Sequence, residues 1–334
     1  MSIIPLIRND YWIFRVFEYP RFQKLLISIF LFFGLCIIGI SNSSTLSTVM
    51  TVLLGLNIVY LFYQVYPFLR IAKKQVLHAS EIKKGQSIVL LTANVFQYNR
   101  NDKMTLANIE LANPDVILLL ETDKWWHEAT KSLKKEYPYS VEVPLENTYG
   151  MLLYSRYKIE ESSVQYLVEA DVPSIHAVVK LPSGQDIQLY CVHPTPPVPN
   201  ENPRSTERDK ELLLIAKRAK NNRLPVIVMG DLNDVAWSYT TELFSKISGL
   251  LDPRKGRGFF NTFHARYPVL RFPLDHIFCS NEFKLMHISK LPAAGSDHFP
   301  MYVKLQYEKA AALEQKEPYA DEKEEEMAEE KLEK

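Results

Sequence analysis

The sequence predicts an α/β fold in which mixed sheets are covered by helices, preceded by a membrane hairpin of two helices. Short apolar runs alternate with amphipathic stretches, and some runs are joined by hairpin turns such as Ser183-Gly184. These two observations predict the soluble part. The hairpin is predicted by a third: no charged residue occurs between Lys24 and Arg70, which is rare in buried helices of soluble proteins.

The first 70 residues are therefore interpreted as membrane-associated. Two apolar stretches, about residues 22–40 and 46–69, are each long enough to cross a bilayer as a helix. Residues 3–22, which include Trp12, are predicted to lie in the membrane interface. A buried pair of soluble helices is the alternative. A cleaved signal peptide fits less well because a second apolar stretch follows the first.

The basic residues predict the side of the membrane on which the rest of the chain lies. Arginines and lysines flank both ends of the hairpin, whereas its connecting loop carries no charge. The positive-inside rule then places both ends in the cytoplasm. We expect an integral membrane protein with two spans, a linker at residues 71–86 and a cytoplasmic domain at residues 87–307.

Composition distinguishes an acidic tail from the rest of the chain. Residues 308–334 contain eleven acidic and five basic residues, a net charge of −6, so residues 1–307 carry +6 within a total of zero. A mildly basic body suits an anionic substrate. The tail is predicted to be a solvated helix or disordered. Three cysteines lack the spacing of a disulfide framework or a zinc site.

Within residues 87–307, hydrophobic periodicity predicts the order of the elements. Strands are predicted at 87–94, 116–120, 149–154, 163–168, 175–181, 186–192, 226–230, 274–278 and 299–305. Helices are predicted at 103–111, around 125–135, at 204–220 and at 237–247. The result is a mixed-sheet α/β sandwich.

Polar residues follow or interrupt these strands more often than turn chemistry explains. They are Asn94, Glu121, His193, Asp231, Asn233, Asp275, Asp297 and His298. A single residue of this kind is often a turn or a cap. Ordinary turns would also have supplied serine, glycine and lysine, so the set predicts one polar site at the strand ends.

Five motifs that contain these residues resemble those of the endonuclease/exonuclease/phosphatase superfamily, in its order and spacing. They are Thr92-Ala93-Asn94-Val95, Leu119-Leu120-Glu121-Thr122, Gly230-Asp231-Leu232-Asn233-Asp234, Leu274-Asp275-His276-Ile277 and Gly295-Ser296-Asp297-His298-Phe299-Pro300. The resemblance covers about residues 86–307 and excludes the hairpin and the tail. It implies a four-layer α/β/β/α sandwich (DNase I-like) and a hydrolase of phosphate esters.

The resemblance also implies a metal site. Glu121 is similar to the family's principal Mg²⁺ ligand, and Mn²⁺ can substitute for Mg²⁺. Asn94 would support the metal and touch the phosphate, and Asp297 would add a carboxylate. Carboxylates and water are the ligands that a hard cation prefers.

The remaining residues are assigned to the reaction itself. Asp231 would align or deprotonate the attacking water while Asn233 holds a phosphate oxygen. His298 resembles the family's catalytic histidine, and Asp275 the carboxylate that orients it and keeps it charged. His193 falls where many members have a second histidine and others a tyrosine.

The substrate remains open on the sequence alone: a lipid headgroup, a nucleotide or a nucleic acid. The membrane hairpin favours a lipid, and the basic and aromatic segment 254–260 suits any of them. A catalytically inactive membrane scaffold that binds a phosphorylated ligand is the alternative, although it would not need the complete set of residues. No protein partner is inferred. His276 is expected to face away from the site, and Arg208 to pack on its helix.

Overall fold

A computed structural model describes residues 1–41 and 44–334 of the chain. Its helices are α1 Trp12–Arg15, α2 Arg21–Ser41, α3 Thr45–Val65, α4 Asp102–Ala112, α5 Lys124–Ala129, α6 Thr206–Lys220, α7 Tyr239–Ser248 and α8 Glu322–Glu333. Its strands are β1 Ser87–Asn94, β2 Val116–Leu120, β3 Tyr139–Val143, β4 Met151–Ser155, β5 Ile159–Gln165, β6 Ser174–Lys180, β7 Asp186–Val192, β8 Val226–Asp231, β9 Asp275–Cys279, β10 Phe283–Lys290 and β11 Met301–Tyr307.

The strands form two sheets. One has six strands in the order β10-β11-β1-β2-β4-β3, and the other has five in the order β5-β6-β7-β8-β9. Apolar side chains from both inner faces, such as Leu90, Leu118, Met229 and Ile277, form one core between the sheets. Burial on both faces explains why the central strands are nearly continuous apolar runs.

Helices cover the two outer faces. Helices α4 and α5 pack on the first sheet, where Ile109 and Trp126 are buried. Helices α6 and α7 pack on the second sheet through residues such as Leu212 and Phe244. The architecture is therefore the predicted four-layer α/β/β/α sandwich.

Strand direction brings the ends of six strands to one edge of the sandwich. Strands β1 and β2 are parallel, as are β7 and β8, so four carboxyl ends point the same way. Strands β9 and β11 are antiparallel to their neighbours and therefore begin at that edge. Polar residues at all six ends consequently meet.

The amino-terminal helices expose large apolar surfaces. The segment Thr45–Phe68 is a helix long and apolar enough to cross a membrane. The helices Trp12–Glu18 and Arg21–Ile37 meet that criterion only as a pair, which is bent by 64°. One candidate span is therefore shown, and the second span of the hairpin remains a prediction. The predicted connecting loop lies partly at positions 42 and 43, outside the described residues.

Both ends of the chain pack on the second sheet's helices. Arg15 and Glu18 are buried, and the Arg15 guanidinium donates a hydrogen bond to Thr240 at 2.8 Å. The segment predicted to lie in the membrane interface thus packs one face on the domain, while Leu6 and Ile13 stay exposed. Helix α8 packs on α6 and α7.

The tail is not the fully solvated segment that its composition suggests. Residues 322–333 form a helix that begins with a capping box at Asp321 and Glu324. Lys331 is buried and forms ion pairs with Asp10 at 2.9 Å and Asp209 at 2.8 Å. These two carboxylates hold helix α8 against the rest of the protein. The acidic composition of the tail could not indicate this packing.

Candidate active site

The eight polar residues predicted from the strand ends lie at the same edge of the sandwich. Asn94 ends β1 and Glu121 follows β2 in the first sheet, and His193, Asp231 and Asp275 lie at strand ends of the second. The others come from the connections beside them, Asn233 after β8 and Asp297 and His298 before β11. The site is therefore built across both sheets.

Glu121 sits where β2 ends, with a left-handed backbone (φ 57°) that turns its carboxylate toward β1. The Asn94 amide nitrogen donates to Oε1 at 2.7 Å, and the Gln97 N–H donates to Oε2 at 3.2 Å. Asn94 Oδ1 accepts from the Phe96 N–H at 3.0 Å. In this arrangement Asn94 orients Glu121 through its nitrogen, and its oxygen is already engaged.

Asp231 and Asn233 form a tight turn at the end of β8. The Asn233 N–H donates to Asp231 Oδ1 at 2.9 Å, which leaves Oδ2 directed toward the other site residues. Asn94 also donates to Asp231 Oδ2 at 3.2 Å, so the two sheets are joined at this point. The Asn233 side-chain amide donates to the Pro194 carbonyl at 2.9 Å rather than into the site.

His298 lies between two carboxylates. Its Nδ1 hydrogen-bonds to Asp275 Oδ2 at 2.8 Å, and its Nε2 lies 3.5 Å from Asp231 Oδ2. Burial opposes the charged imidazole, but Asp275 and Asp231 dominate and raise the pKa of His298 to about 10. His298 is therefore an imidazolium at neutral pH, able to stabilise negative charge on a bound phosphate.

The Asp231 carboxylate is ionised beside this imidazolium. Burial by itself would raise the pKa of Asp231, but the charge of His298 holds that pKa below its ordinary value. An ionised carboxylate at a strand end can accept a hydrogen bond from water and orient it for attack.

His193 differs from His298 although both border Asp231. Its Nε2 lies 3.9 Å from Asp231 Oδ2, and its ring packs on Tyr149 with 5.3 Å between centroids. Burial lowers the pKa of His193 to about 4, so the ring is neutral at physiological pH. Its Nδ1 is buried and has no hydrogen-bond partner among the described residues. His193 can therefore offer a neutral ring to a ligand, but not a positive charge.

The acidic residues of the site fit a divalent cation. Ligand atoms of Asp231, Asp275 and His298 lie within 4.8 Å of one another, but the protonated His298 has no lone pair to offer a cation, so only the carboxylates of the site can serve as ligands. Burial, with a smaller contribution from the charge of Asp297, raises the pKa of Glu121 to about 7. A buried carboxylate with this raised pKa is stabilised in its ionised form by a cation.

Sequence analysis missed several residues that hold the site together. The Ser296 hydroxyl donates to the Asn94 carbonyl at 2.7 Å and accepts from the His298 N–H at 3.0 Å. The Asp275 N–H donates to the Thr262 hydroxyl at 3.1 Å. Ser296 stands within a motif already singled out and could have been found there. Thr262 lies in an irregular segment with no signal of its own.

Other residues of the domain lie away from the reacting groups. His276 points to the opposite side of β9 from Asp275, and its Nε2 lies 2.9 Å from the Asp234 carbonyl. Arg208 is buried in ion pairs with Asp209 and Asp234. Trp126 is fully buried in the core.

Comparisons with known proteins agree with this architecture. The sequence profile of the Endonuclease/Exonuclease/phosphatase family matches residues 91–298. No curated protein sequence matches the chain.

Among solved structures, humanized D. rerio TDP2 is 18% identical with a TM-score of 0.56, covering 66% of this chain and 99% of its own. The human Nocturnin catalytic domain with bound sulfate is 16% identical with a TM-score of 0.53, covering 68% of this chain and 96% of its own. An endonuclease/exonuclease/phosphatase from Beutenbergia cavernae is 15% identical with a TM-score of 0.54, covering 67% of this chain and 72% of its own. These likenesses show the shared two-sheet fold. Because the family profile spans most of the chain, the chain belongs to the endonuclease/exonuclease/phosphatase family, whose members hydrolyse phosphate esters.

Proposed function

We propose that this chain is a membrane-anchored, Mg²⁺-dependent phosphoesterase whose catalytic domain lies on the cytoplasmic side. The observation that carries the proposal is the position of the charged His298 between Asp275 and Asp231, beside the Glu121–Asn94 pair. Hydrolysis of a phosphate ester requires an oriented water and stabilisation of negative charge on the phosphoryl oxygens. The site supplies both.

Each group has a task that follows from its protonation state. The Asp231 carboxylate accepts a hydrogen bond from the attacking water, and the His298 imidazolium donates to a phosphoryl oxygen or to the leaving oxygen. Asp275 fixes the His298 ring through Nδ1, so that Nε2 faces the substrate. Asn233 would reach a phosphate oxygen only after its amide leaves the Pro194 carbonyl.

Glu121 is the residue that would hold the cation, supported by Asp297. A bound Mg²⁺ would neutralise phosphate charge and polarise the ester. Its fit rests on the raised pKa of Glu121 and on the surrounding carboxylates. Asn94 orients Glu121 in the present arrangement, and it would donate to a phosphate oxygen only after its amide leaves Asp231.

Hydrolysis of bis-p-nitrophenyl phosphate by the full-length protein in detergent tests the proposal. Full length is needed because the amino-terminal segment and α8 both pack on the catalytic domain. We expect Mg²⁺-dependent release of p-nitrophenol that is lost in Asp231→Asn and in His298→Ala. Asp186→Asn, at the far end of β7, is the matched control and should retain the full rate.

Equal rates in all four proteins would contradict the site. No hydrolysis by the wild-type protein, together with specific binding of a phosphate ester, would favour the non-catalytic scaffold. Topology has its own test, a reporter fused after Lys334 that is active only outside the cytoplasm. We expect it to be silent, and an active reporter would contradict the cytoplasmic placement.

A further inference from the structure

A loop of mixed apolar and basic character borders the site. We call residues 264–271 the mouth loop; it carries the sequence His-Ala-Arg-Tyr-Pro-Val-Leu-Arg. Residues 266–270 are all exposed, and the exposed fraction is 58% for Tyr267, 74% for Val269 and 54% for Leu270. Three large apolar side chains within four residues are an unusual surface for a loop facing water.

One end of the mouth loop contacts the catalytic residues directly. The Ala265 N–H donates to the Asp297 carbonyl at 2.6 Å. The Phe263 ring, just before the loop, lies 5.0 Å from the His298 ring. The Arg266 guanidinium donates to the Gly295 carbonyl at 2.9 Å. The loop therefore forms one rim of the site.

The other end contacts the base of the amino-terminal helices. The Gln23 side-chain amide, in the first turn of α2, donates to the Val269 carbonyl at 2.9 Å. One to two turns further along α2, Leu26, Ile27 and Phe30 are exposed. The apolar surface of the loop is thus continuous with the apolar surface of the helix predicted to enter the bilayer.

The charges around the loop are positive. Arg266 and Arg271 lie in it, and Lys290 stands beside it, because Arg271 and Lys290 both lie over the Phe299 ring, at 5.0 Å and 4.4 Å. Apolar side chains flanked by arginine and lysine are typical of segments that rest in the headgroup layer of an anionic membrane.

We propose that the mouth loop inserts Tyr267, Val269 and Leu270 into the headgroup layer of the bilayer that holds α2 and α3. The rim formed by Asp297 and His298 then faces lipid phosphates, and the phosphate ester that enters the site is that of a membrane lipid. This inference rests on the membrane anchoring proposed above. The continuity with α2 and the positive charge select a lipid surface as the occupant.

Fluorescence of the full-length protein in nanodiscs of phosphatidylcholine and phosphatidylglycerol tests the docking. A probe sensitive to polarity is attached at Val269→Cys in a Cys36→Ser background, where the remaining cysteines are buried. We expect a blue shift of its emission and quenching by lipids brominated near the headgroup.

The matched control is Leu111→Cys on α4. Leu111 is 75% exposed, like Val269, but lies at the end of α4 remote from the site. Its probe should show neither effect. A probe at Phe33→Cys on α2, tested with lipids brominated deep in their acyl chains, reports whether the helices are in the bilayer at all. If the probe at position 33 is quenched but the probe at position 269 behaves like that at position 111, the docking proposal is wrong and the membrane anchoring stands. If the probe at position 33 is not quenched, both the docking and the anchoring are wrong.

A second variant links docking to the site. Adding Leu270→Glu to the labelled protein should abolish the shift at position 269, because a carboxylate is repelled from the anionic layer. Hydrolysis of soluble bis-p-nitrophenyl phosphate should be unchanged, since Leu270 does not contact the reacting groups. Adding Leu111→Glu should alter neither. An unchanged shift in the Leu270→Glu protein would overturn the proposal.

Discussion

Two buried clusters of charged residues lie close together and differ in charge balance. The site cluster comprises four carboxylates, Glu121, Asp231, Asp275 and Asp297, and the His298 imidazolium, which contacts Asp231 and Asp275. The structural ion cluster comprises four carboxylates and four basic groups: Asp10, Glu18, Asp209, Asp234, Arg15, Arg21, Arg208 and Lys331. In the structural ion cluster, four basic groups balance the four carboxylates. In the site cluster, the carboxylates outnumber the single imidazolium.

This difference in charge balance indicates which of the two clusters serves function. A buried ion pair that is fully compensated favours one folded arrangement and leaves no charge to act on a ligand. A cluster with surplus acid is destabilising until a cation binds, which is typical of active sites. The two clusters meet at one turn. The Asn233 N–H contacts Asp231, and its carbonyl accepts from Arg208 at 2.8 Å and from Tyr19 at 2.9 Å.

Neutralising a residue of the site cluster should have the largest effect, and it should fall on activity. Because Asp231 orients water and His298 is charged, Asp231→Asn and His298→Ala should each lower kcat by roughly 10²–10⁴-fold. Asp231→Asn should also lower the unfolding temperature, but only slightly, because it loses the attraction of His298, which holds the pKa of Asp231 below its ordinary value against the effect of burial, and at the same time relieves its repulsion with the buried Asp275. Steady-state hydrolysis and thermal unfolding measure the two quantities. A large fall in unfolding temperature with little change in kcat would place Asp231 in a structural role.

Removing a carboxylate from the structural ion cluster should lower the stability of the fold and leave kcat unchanged. Asp209→Ala leaves the Arg208 and Lys331 charges buried without their shared partner and should cost about 3–5 kcal/mol of unfolding free energy. The folded fraction should keep its kcat. Asp186→Ala, whose partner Lys180 is exposed, is the control and should barely change the unfolding temperature. Equal losses in the two variants would show that the cluster is not coupled to folding.

The buried His276 on β9 should make the folded protein less stable in acid. Burial, with a further contribution from Arg254, lowers the pKa of His276 to about 3, whereas an unfolded histidine titrates near 6.5. Below about pH 6.5 the unfolded chain therefore binds a proton that the folded chain does not, and stability falls as pH drops toward 3. His276→Gln should make this acid limb shallower. Thermal unfolding followed against pH measures it, and parallel curves for the two proteins would contradict the assignment.

Removing a hydrogen bond at the turn where the two clusters meet should have the smallest effect on kcat. Tyr19→Phe removes one of the two hydrogen bonds to the Asn233 carbonyl, worth about 1 kcal/mol. Arg208 retains the other, so kcat should fall less than tenfold with KM unchanged. Because Tyr19 precedes α2, a measurable fall in kcat would show that the amino-terminal segment positions the catalytic turn. An unchanged kcat would show that Arg208 suffices.

Central strands and the site were predictable because both depend on local patterns. Strands β1, β2 and β7 were predicted with their observed bounds, since burial on both faces makes them continuous apolar runs. Strands β3 and β10 were missed. Both are edge strands in which polar residues such as Glu142 and Lys284 interrupt the pattern, and β10 also contains a bulge.

The structural ion cluster could not be predicted in the same way. Lys331 and Asp10 are 321 residues apart, and each lies in a segment whose local composition suggests exposure. No periodicity links them, because their contact depends on how α6 is placed by the fold. Site residues, in contrast, can be recognised in the sequence because they stand at the ends of apolar strands, as Glu121 and Asp231 do.

The acidic surplus of the site cluster is tested most directly by cation binding. Thermal unfolding of the full-length protein is followed while Mg²⁺ is added, in the wild type and in Glu121→Gln, with Asp209→Asn as the variant of the balanced cluster. We predict that Mg²⁺ raises the unfolding temperature of the wild type and of Asp209→Asn but not that of Glu121→Gln. An equal rise in Glu121→Gln, or no rise in the wild type, would contradict the claim that the surplus carboxylates form a cation site.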